Sequence, residues 1–464
     1  ISDSIEVEGP QGEVRRPSAP VAVQSSEGLS IESIRNGLMN FFEEYNLGKI
    51  RFSNGFADLG TQCLPELEGE VINFMLDSNA NREVERPLFA DDWNIGMQNY
   101  RLPVADGNYE IQLGDLRWST NARRLKASQV ALVPATAKYD FAPQFFQQTD
   151  WINLTTEQAE LVDLDFDGLF YDKRLRASEL VLDSMRIEVF RDKRFPMPKN
   201  QRPKLPKQLL KELEYEVWLD SVSLKRSYAQ YEEHAVGAPQ AGIIYFSGMN
   251  AKFYSLTNDT AFLNAGGLSR LNAKAYVMGQ GLLMATFDFD LGSANNAYTY
   301  KAQLGPMDLV HFNPMMENLA FVKIKKGRIK SMDFNVTAND DFAIGRMRLY
   351  YRNLKVNLID PNKDKPGFKR SVGSAFANSF VVNTANPNYI FPRTGNIYFE
   401  RRASRSIFNY WAYTAFSGLK SSVGHKTLLK KPGKRSQFID RVKFKSYSWR
   451  SEEHTSELQS PDHL

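Results

Sequence analysis

Leu283-Met-Ala-Thr-Phe-Asp-Phe-Asp-Leu291 decides the fold. Successive side chains of a strand point to opposite faces. Leu283, Ala285, Phe287, Phe289 and Leu291 therefore share one apolar face, with Asp288 and Asp290 on the other. The same period of two recurs at Tyr109, Ile111 and Leu113, and at Tyr215, Val217 and Leu219. It recurs again at Met332, Phe334 and Val336, at Met347, Leu349 and Tyr351, at Leu354, Val356 and Leu358, and at Ile397 and Phe399. Leu161, Leu164 and Phe166 repeat it after a slip in register. Turn residues punctuate the series at Gly168, Gly237-Ala-Pro239, Gly266-Gly267, Gly279, Gly305-Pro306, Gly327 and Asn339-Asp-Asp341. Short amphipathic strands with such turns predict a meander.

The expected fold is mostly β, a long twisted antiparallel sheet curled into a groove or open barrel, with a few short helices. Helical spacing of Ile31, Ile34, Leu38, Phe41 or Phe42, and Tyr45 predicts one helix, with Ser30 as its N-cap. Others are expected near Pro206–Leu213 and Ser406–Leu419. These are too few to cover the sheet, so its apolar face must meet itself or something that is not protein.

The chain has 464 residues, 42% of them hydrophobic and 12% aromatic, enough for a core and too long for a single one. The formal charge of +4 is spread along the chain and does not argue for nucleic acid. One cysteine, Cys63, excludes an internal disulfide framework. No apolar run reaches the ~18–20 residues that a membrane-spanning helix needs. The stretch Arg450-Ser-Glu-Glu-His-Thr-Ser-Glu-Leu-Gln-Ser460 resembles the translation of a sequencing-library adapter and is expected to be non-native. Residues 451–464 carry four acidic and no basic side chains, so without them the charge rises from +4 to +8.

The expected organisation is a linker over 1–28, an N-terminal β section with one amphipathic helix over 29–195, and a Pro-rich connector over 196–210. A second β section covers 211–402, an aromatic amphipathic helix 403–424, a basic tail 425–449, and the adapter-like end 450–464. The connector follows from Pro196, Pro198, Pro203 and Pro206, which stiffen an extended chain.

No constellation of catalytic residues stands out. Asp163-Leu-Asp-Phe-Asp-Gly168 begins like a calcium loop, but Arg174 stands where the bidentate Glu belongs. The alternative is a strand with Leu164 and Phe166 inward and the aspartates in solvent. His234, His311 and His425 have no second ligand at metal-binding spacing and read as turn or surface residues. Arg191-Asp-Lys-Arg194 reads as a solvated turn holding an ion pair. No Gly-x-Ser-x-Gly elbow and no phosphate loop is present. Metal ligands, catalytic residues and cofactors are therefore expected to be none.

Near the C-terminus Ile407, Phe408, Tyr410, Trp411, Phe416 and Leu419 precede a basic run from Lys420 through Lys426, Lys430, Lys431, Lys434 and Arg435 to Lys445. Aromatic residues favour the membrane interface and cations attract anionic head groups. Phe408, Tyr410, Trp411, Phe416, Lys420, Lys430 and Lys431 are thus candidate membrane-interface residues. The alternative is a terminal helix packed on the sheet, followed by a basic tail.

The second half carries Ser184-Met-Arg-Ile-Glu-Val-Phe-Arg-Asp-Lys-Arg-Phe-Pro196, Tyr228, Tyr231-Glu-Glu233 and Lys326-Gly-Arg-Ile-Lys-Ser-Met-Asp-Phe334. It continues with Gly345-Arg-Met-Arg-Leu-Tyr-Tyr-Arg-Asn-Leu-Lys-Val356, Ile397-Tyr-Phe-Glu-Arg401, Ser406-Ile-Phe-Asn-Tyr410 and Ser417-Gly-Leu-Lys420. In these stretches it resembles the AsmA-like family of Gram-negative envelope proteins, of the bridge-like lipid-transfer type. The resemblance implies a non-enzymatic periplasmic protein, anchored in the inner membrane by an upstream helix, that shelters or moves phospholipid and supports outer-membrane integrity. The implied partners are phospholipid or other lipid, a membrane surface and outer-membrane proteins, with no nucleic acid. Leu283, Phe287, Phe289, Met332, Phe334, Val336, Met347, Leu349 and Tyr351 are then expected on the floor of a lipid groove. The competing expectations are a scaffold with a closed β sandwich and no lipid path, and a glycan-binding module with aromatic platforms on its outer face.

Overall fold

The computed structural model describes residues 4–8, 44–58, 63–77, 86–198, 206–359, 382–388, 391–402, 405 and 407–424. The strands are β1 Ser4–Glu8, β2 Glu44–Asp58, β3 Cys63–Asp77, β4 Asp92–Val104, β5 Tyr109–Ser119 and β6 Arg124–Pro134. Then come β7 Asp150–Val162, β8 Arg174–Asp183, β9 Arg186–Asp192, β10 Glu216–His234, β11 Gly242–Thr257 and β12 Leu268–Val277. The last are β13 Gly281–Asp290, β14 Tyr298–Leu304, β15 Met307–Asp308, β16 Val322–Ala338, β17 Phe342–Leu358 and β18 Thr394–Glu400. The helices are α1 Lys138–Phe145, α2 Phe166–Tyr171, α3 Pro206–Lys211, α4 Thr260–Asn264, α5 Asn313–Leu319 and α6 Ile407–Ser422. The fold is mostly β, as the alternation predicts.

The strands pair largely in chain order, each with the next, so the sheet is a meander from β1 to β18. One departure makes it mixed: β8 and β9 both run parallel to β10. The long connection from Asp192 to Glu216 permits this, because parallel neighbours need a crossover rather than a hairpin. The sections on either side of the Pro-rich connector are therefore parts of one sheet.

Three expectations need correction. Of the helix expected over 31–45, residues 31–43 lie outside the described residues, and Glu44 and Tyr45 open β2 instead. The strand through Leu164 and Phe166 stops at Val162, where the chain turns into α2. Asp165 caps that helix by accepting from Gly168 N at 3.0 Å, and Asp163 accepts from the Ser178 hydroxyl at 2.8 Å. Both apolar residues are nonetheless buried, since a helix can turn them onto the sheet end as readily as a strand. His234 is not a surface residue: it ends β10, buried, with Nε2 3.1 Å from the Ala238 carbonyl.

The sheet curls. In a flat sheet β11 and β16 would stand four strand spacings apart, about 19 Å. Yet α5, one helix of ~10 Å diameter, packs on both. A crease assists the bend. Gln98, Asp115, Ser128, Gln158, Asp183 and Lys225 are register neighbours across β4 to β10. Beside that row Asn99, Gln129, Ser184 and Arg226 all adopt positive φ. A left-handed residue inside a strand acts as a bulge, bending it and shifting its alternation by one. Met97 and Tyr100, three apart, accordingly both face the core.

Candidate functional site

Residues paired across a ladder lie side by side on one face. Following the registers from strand to strand gives an unbroken row: Ile95, Trp118, Leu125, Leu161, Leu180, Val222, Phe253, Leu271, Phe287, Tyr300, Val336, Gly345 and Ile397. Two residues along each strand runs a second row. It includes Ala127, Ala159, Leu182, Leu224, Ala251, Ala273, Ala285, Ala302, Phe334 and Met347. One apolar face thus extends across thirteen strands from separate sequence segments. Its reverse carries exposed ion pairs such as Arg270–Asp288 at 2.6 Å and Arg348–Asp333 at 2.9 Å, interspersed with the exposed Tyr254, Tyr276, Leu282 and Met284.

Cover over this face is uneven. From Trp118 to Phe287 the first row is half-buried throughout. That stretch crosses seven spacings, about 34 Å along the sheet. From Tyr300 onward the side chains of the row, Tyr300, Val336 and Ile397, are buried in the cluster that α6 helps to close. The Trp411 ring meets Phe287 at 4.9 Å and its Nε1 donates to the Tyr298 hydroxyl at 3.0 Å. Tyr410 is 2% exposed and donates to the Asn339 carbonyl at 3.2 Å.

All nine floor candidates belong to one face or its adjoining core, which supports the reading of the alternation. They do not form an open floor, however. Met332, Phe334, Val336, Met347, Leu349 and Tyr351 are buried, whereas Leu283, Phe287 and Phe289 are half-buried. The expectation missed the cover because α6 is separated from these strands in sequence. Further upstream Leu125, Leu161, Leu180 and Val222 are half-buried and pack around Leu164, Phe166 and Val217 beside α2, and Phe253 and Leu271 are half-buried beyond them.

The membrane-interface candidates divide in the same way. Tyr410 and Trp411 are engaged with the sheet. Phe408 is 65% exposed, and Lys420 Nζ stands 4.6 Å from the Phe416 ring centroid. Burial lowers the Lys420 pKa from its ordinary value. Lys430 and Lys431 lie outside the described residues. Among the described residues no helix is long and apolar enough to cross a membrane.

The Arg191–Arg194 cluster is not a solvated turn. Asp192 is fully buried and chelated by Arg194, Arg191 grips Asp150 with two donors, and Lys193 pairs with Glu233. Glu233 also accepts from Tyr231 at 2.8 Å, and Lys138 reaches Glu232 at 2.8 Å. The partners come from β7, β10 and α1, which sequence distance hides. Burial lowers the Lys193 pKa against the pull of Glu233. Burial and the Glu233 charge together raise Tyr231 well above the ordinary phenol range. These groups satisfy one another, so the cluster forms a polar rim that locks β7, β9 and β10 together rather than a reactive centre. The Arg405 guanidinium joins this rim to the segment before α6 by donating to Gln148 at 3.1 Å. A separate cavity of about 240 Å³ is lined by Gln208, Lys211, Asn264, Ser293 and their neighbours, a mainly polar set suited to water.

Compared with known proteins, the chain matches no family model, and no curated protein aligns with it significantly.

Proposed function

We propose that this chain is the lipid-handling sheet of a non-enzymatic, AsmA-like envelope protein, holding phospholipid acyl chains along its inner face in the periplasm between the two membranes. The observation that carries the reading is the half-buried apolar row from Trp118 to Phe287. It is continuous across the registers, faces inward on a curled sheet, and is met by the short helix α2 at its Trp118–Val222 end but, among the described residues, by no helix as long as α6. Each CH₂ removed from water contributes about 0.8 kcal/mol, so a tail lying along the row is held without specific polar contacts. Head groups stay at the polar rim or in water. The exposed Phe408 and the cations from Lys420 onward suit an anionic membrane surface.

The second reading is a scaffold without a lipid path. The face buried under α6 favours it for β14 to β18, but not for the strands upstream. Native mass spectrometry of the purified chain separates the two. The lipid reading expects retained phospholipid that Leu180→Lys and Leu271→Lys release while the fold persists. A chain that purifies lipid-free, and whose apolar face takes up no added phospholipid, is a scaffold.

A further inference from the structure

Over much of the sheet the outward face pairs its charges between strands. Arg117 meets Glu68, Arg124 meets Glu160, Lys252 meets Glu179 and Arg270 meets Asp288. The β16–β17 hairpin breaks this pattern. Its two strands carry nine cations and a single carboxylate, Asp333. Lys323, Arg328 and Arg348 find Glu317, Asp308 and Asp333. Lys325, Lys326, Lys330, Arg346, Arg352 and Lys355 are exposed and have no acidic partner among the described residues. Cations even face cations: Lys326 is the register partner of Lys355, and Arg328 of Arg352. Like charges directly opposite destabilise a sheet. Register shifts between Ile324 and Lys326 and between Ile329 and Ser331 raise the density further, because each bulge turns one extra lysine, Lys325 or Lys330, out to solvent.

This end of the hairpin runs on past its neighbours. β14 pairs with β16 only from Met332 onward, and β18 with β17 only up to Arg348. Two large apolar side chains stand exposed beside the cations. Leu358, 38% exposed, ends the ladder opposite Val322. Phe391, 83% exposed, lies two residues before Arg393, whose guanidinium donates to the Tyr351 hydroxyl of β17 at 3.3 Å.

We propose that this end of the β16–β17 hairpin is a docking surface for an anionic phospholipid bilayer. The unpaired cations take the head-group phosphates, which relieves the cross-strand repulsion, and Leu358 and Phe391 enter the apolar layer behind them. The apolar pair favours a bilayer over a nucleic-acid duplex, which offers phosphates but no apolar layer to enter. The surface lies on the opposite face from the inner row and stands whether or not that row carries lipid.

Sedimentation of the full chain with vesicles tests it, at ~0.1 M salt, where charges act over about 10 Å. Phosphatidylcholine vesicles containing phosphatidylglycerol should bind the chain, and vesicles of phosphatidylcholine alone should not. A cation near an anionic surface contributes about fivefold to binding. Lys326→Gln, Lys330→Gln, Arg352→Gln and Lys355→Gln together should therefore weaken it by roughly several hundredfold. The same variant should be no less stable to urea than the wild type, since two like-charge pairs are gone. Phe391→Ser should weaken binding several-fold. Arg270→Gln, on the same face but already paired, and Leu180→Lys, on the inner row, should leave it unchanged. Equal binding to neutral vesicles, or a quadruple variant that binds as the wild type does, overturns the proposal. A chain that binds a DNA duplex more tightly than the anionic vesicles at the same salt overturns the bilayer as its partner.

Discussion

Gly395→Ala is the sharpest probe of how α6 is held. The added Cβ would lie 2.6 Å from the Gly418 carbonyl oxygen, 2.2 Å from the Ser422 hydroxyl and 3.0 Å from the Ser422 nitrogen. Ser422 can turn its hydroxyl aside, but the helix backbone cannot. Ordinary contact begins at 3.4 Å, so α6 must retreat by 3.4 less 2.6, or 0.8 Å. A retreat of that size stretches the bonds that Asn396 N–H donates to the Ser421 hydroxyl at 2.9 Å and Tyr398 N–H to the Ser417 hydroxyl at 3.2 Å beyond hydrogen-bonding distance. Each is worth ~1 kcal/mol, and crowding in a packed core adds ~1–3 kcal/mol. The expected loss is about 3–5 kcal/mol, localised to α6. Urea unfolding should show an early transition reported by Trp411 fluorescence, ahead of the main sheet. Gly305→Ala is the control, since its Cβ meets nothing nearer than 3.6 Å. Equal stability of the two variants would refute the close packing of helix on strand.

Other consequences follow from the same contacts. Burial raises the pKa of Tyr298, Tyr300 and Tyr410 above the ordinary value near 10. A raised phenol pKa contributes stability that is present below the unfolded value of ~10 and is lost as pH climbs above it. Stability should therefore be insensitive to these groups below pH ~10 and fall beyond it, with their tyrosinate absorbance appearing only on unfolding. Glu233→Gln leaves Lys193 buried without its counter-charge and should destabilise by about 3 kcal/mol in denaturant titration, far more than Asp288→Asn on the exposed face. Phe408→Ser should weaken partitioning onto anionic vesicles several-fold while leaving stability within about 0.5 kcal/mol, since an exposed side chain supports little of the fold.

Much of this architecture is legible in the sequence. The runs at Leu283–Leu291, Met332–Val336 and Met347–Tyr351 alternate cleanly because their strands are regular, and the structure places each on the shared face. The crease is less visible. Gln129, Ser184 and Arg226 carry no local signature of a left-handed backbone, so the slipped alternation between Met97 and Tyr100 reads as noise. The rim is hidden for another reason: Asp150 lies 41 residues from Arg191, and Lys138 lies 94 from Glu232. The pairing of β7 with β9 unites the first pair, and the packing of α1 on those strands brings Lys138 to the second. The aromatic content of α6 signals an apolar helix. Its contact with the strand is made instead by Gly418, Ser417 and Ser421, residues that helical hydrophobicity does not pick out.

On the proposed function, acyl chains lie on the half-buried row between Trp118 and Phe287. Photo-crosslinking with a phospholipid carrying a diazirine in its acyl chain tests it directly, with labelled residues mapped by peptide sequencing. The account predicts labels on Leu125, Leu161, Leu180, Val222, Phe253 and Leu271, and none on Val336 or Met347 beneath α6. Labels confined to the reverse face, or none on the row at saturating lipid, would contradict it.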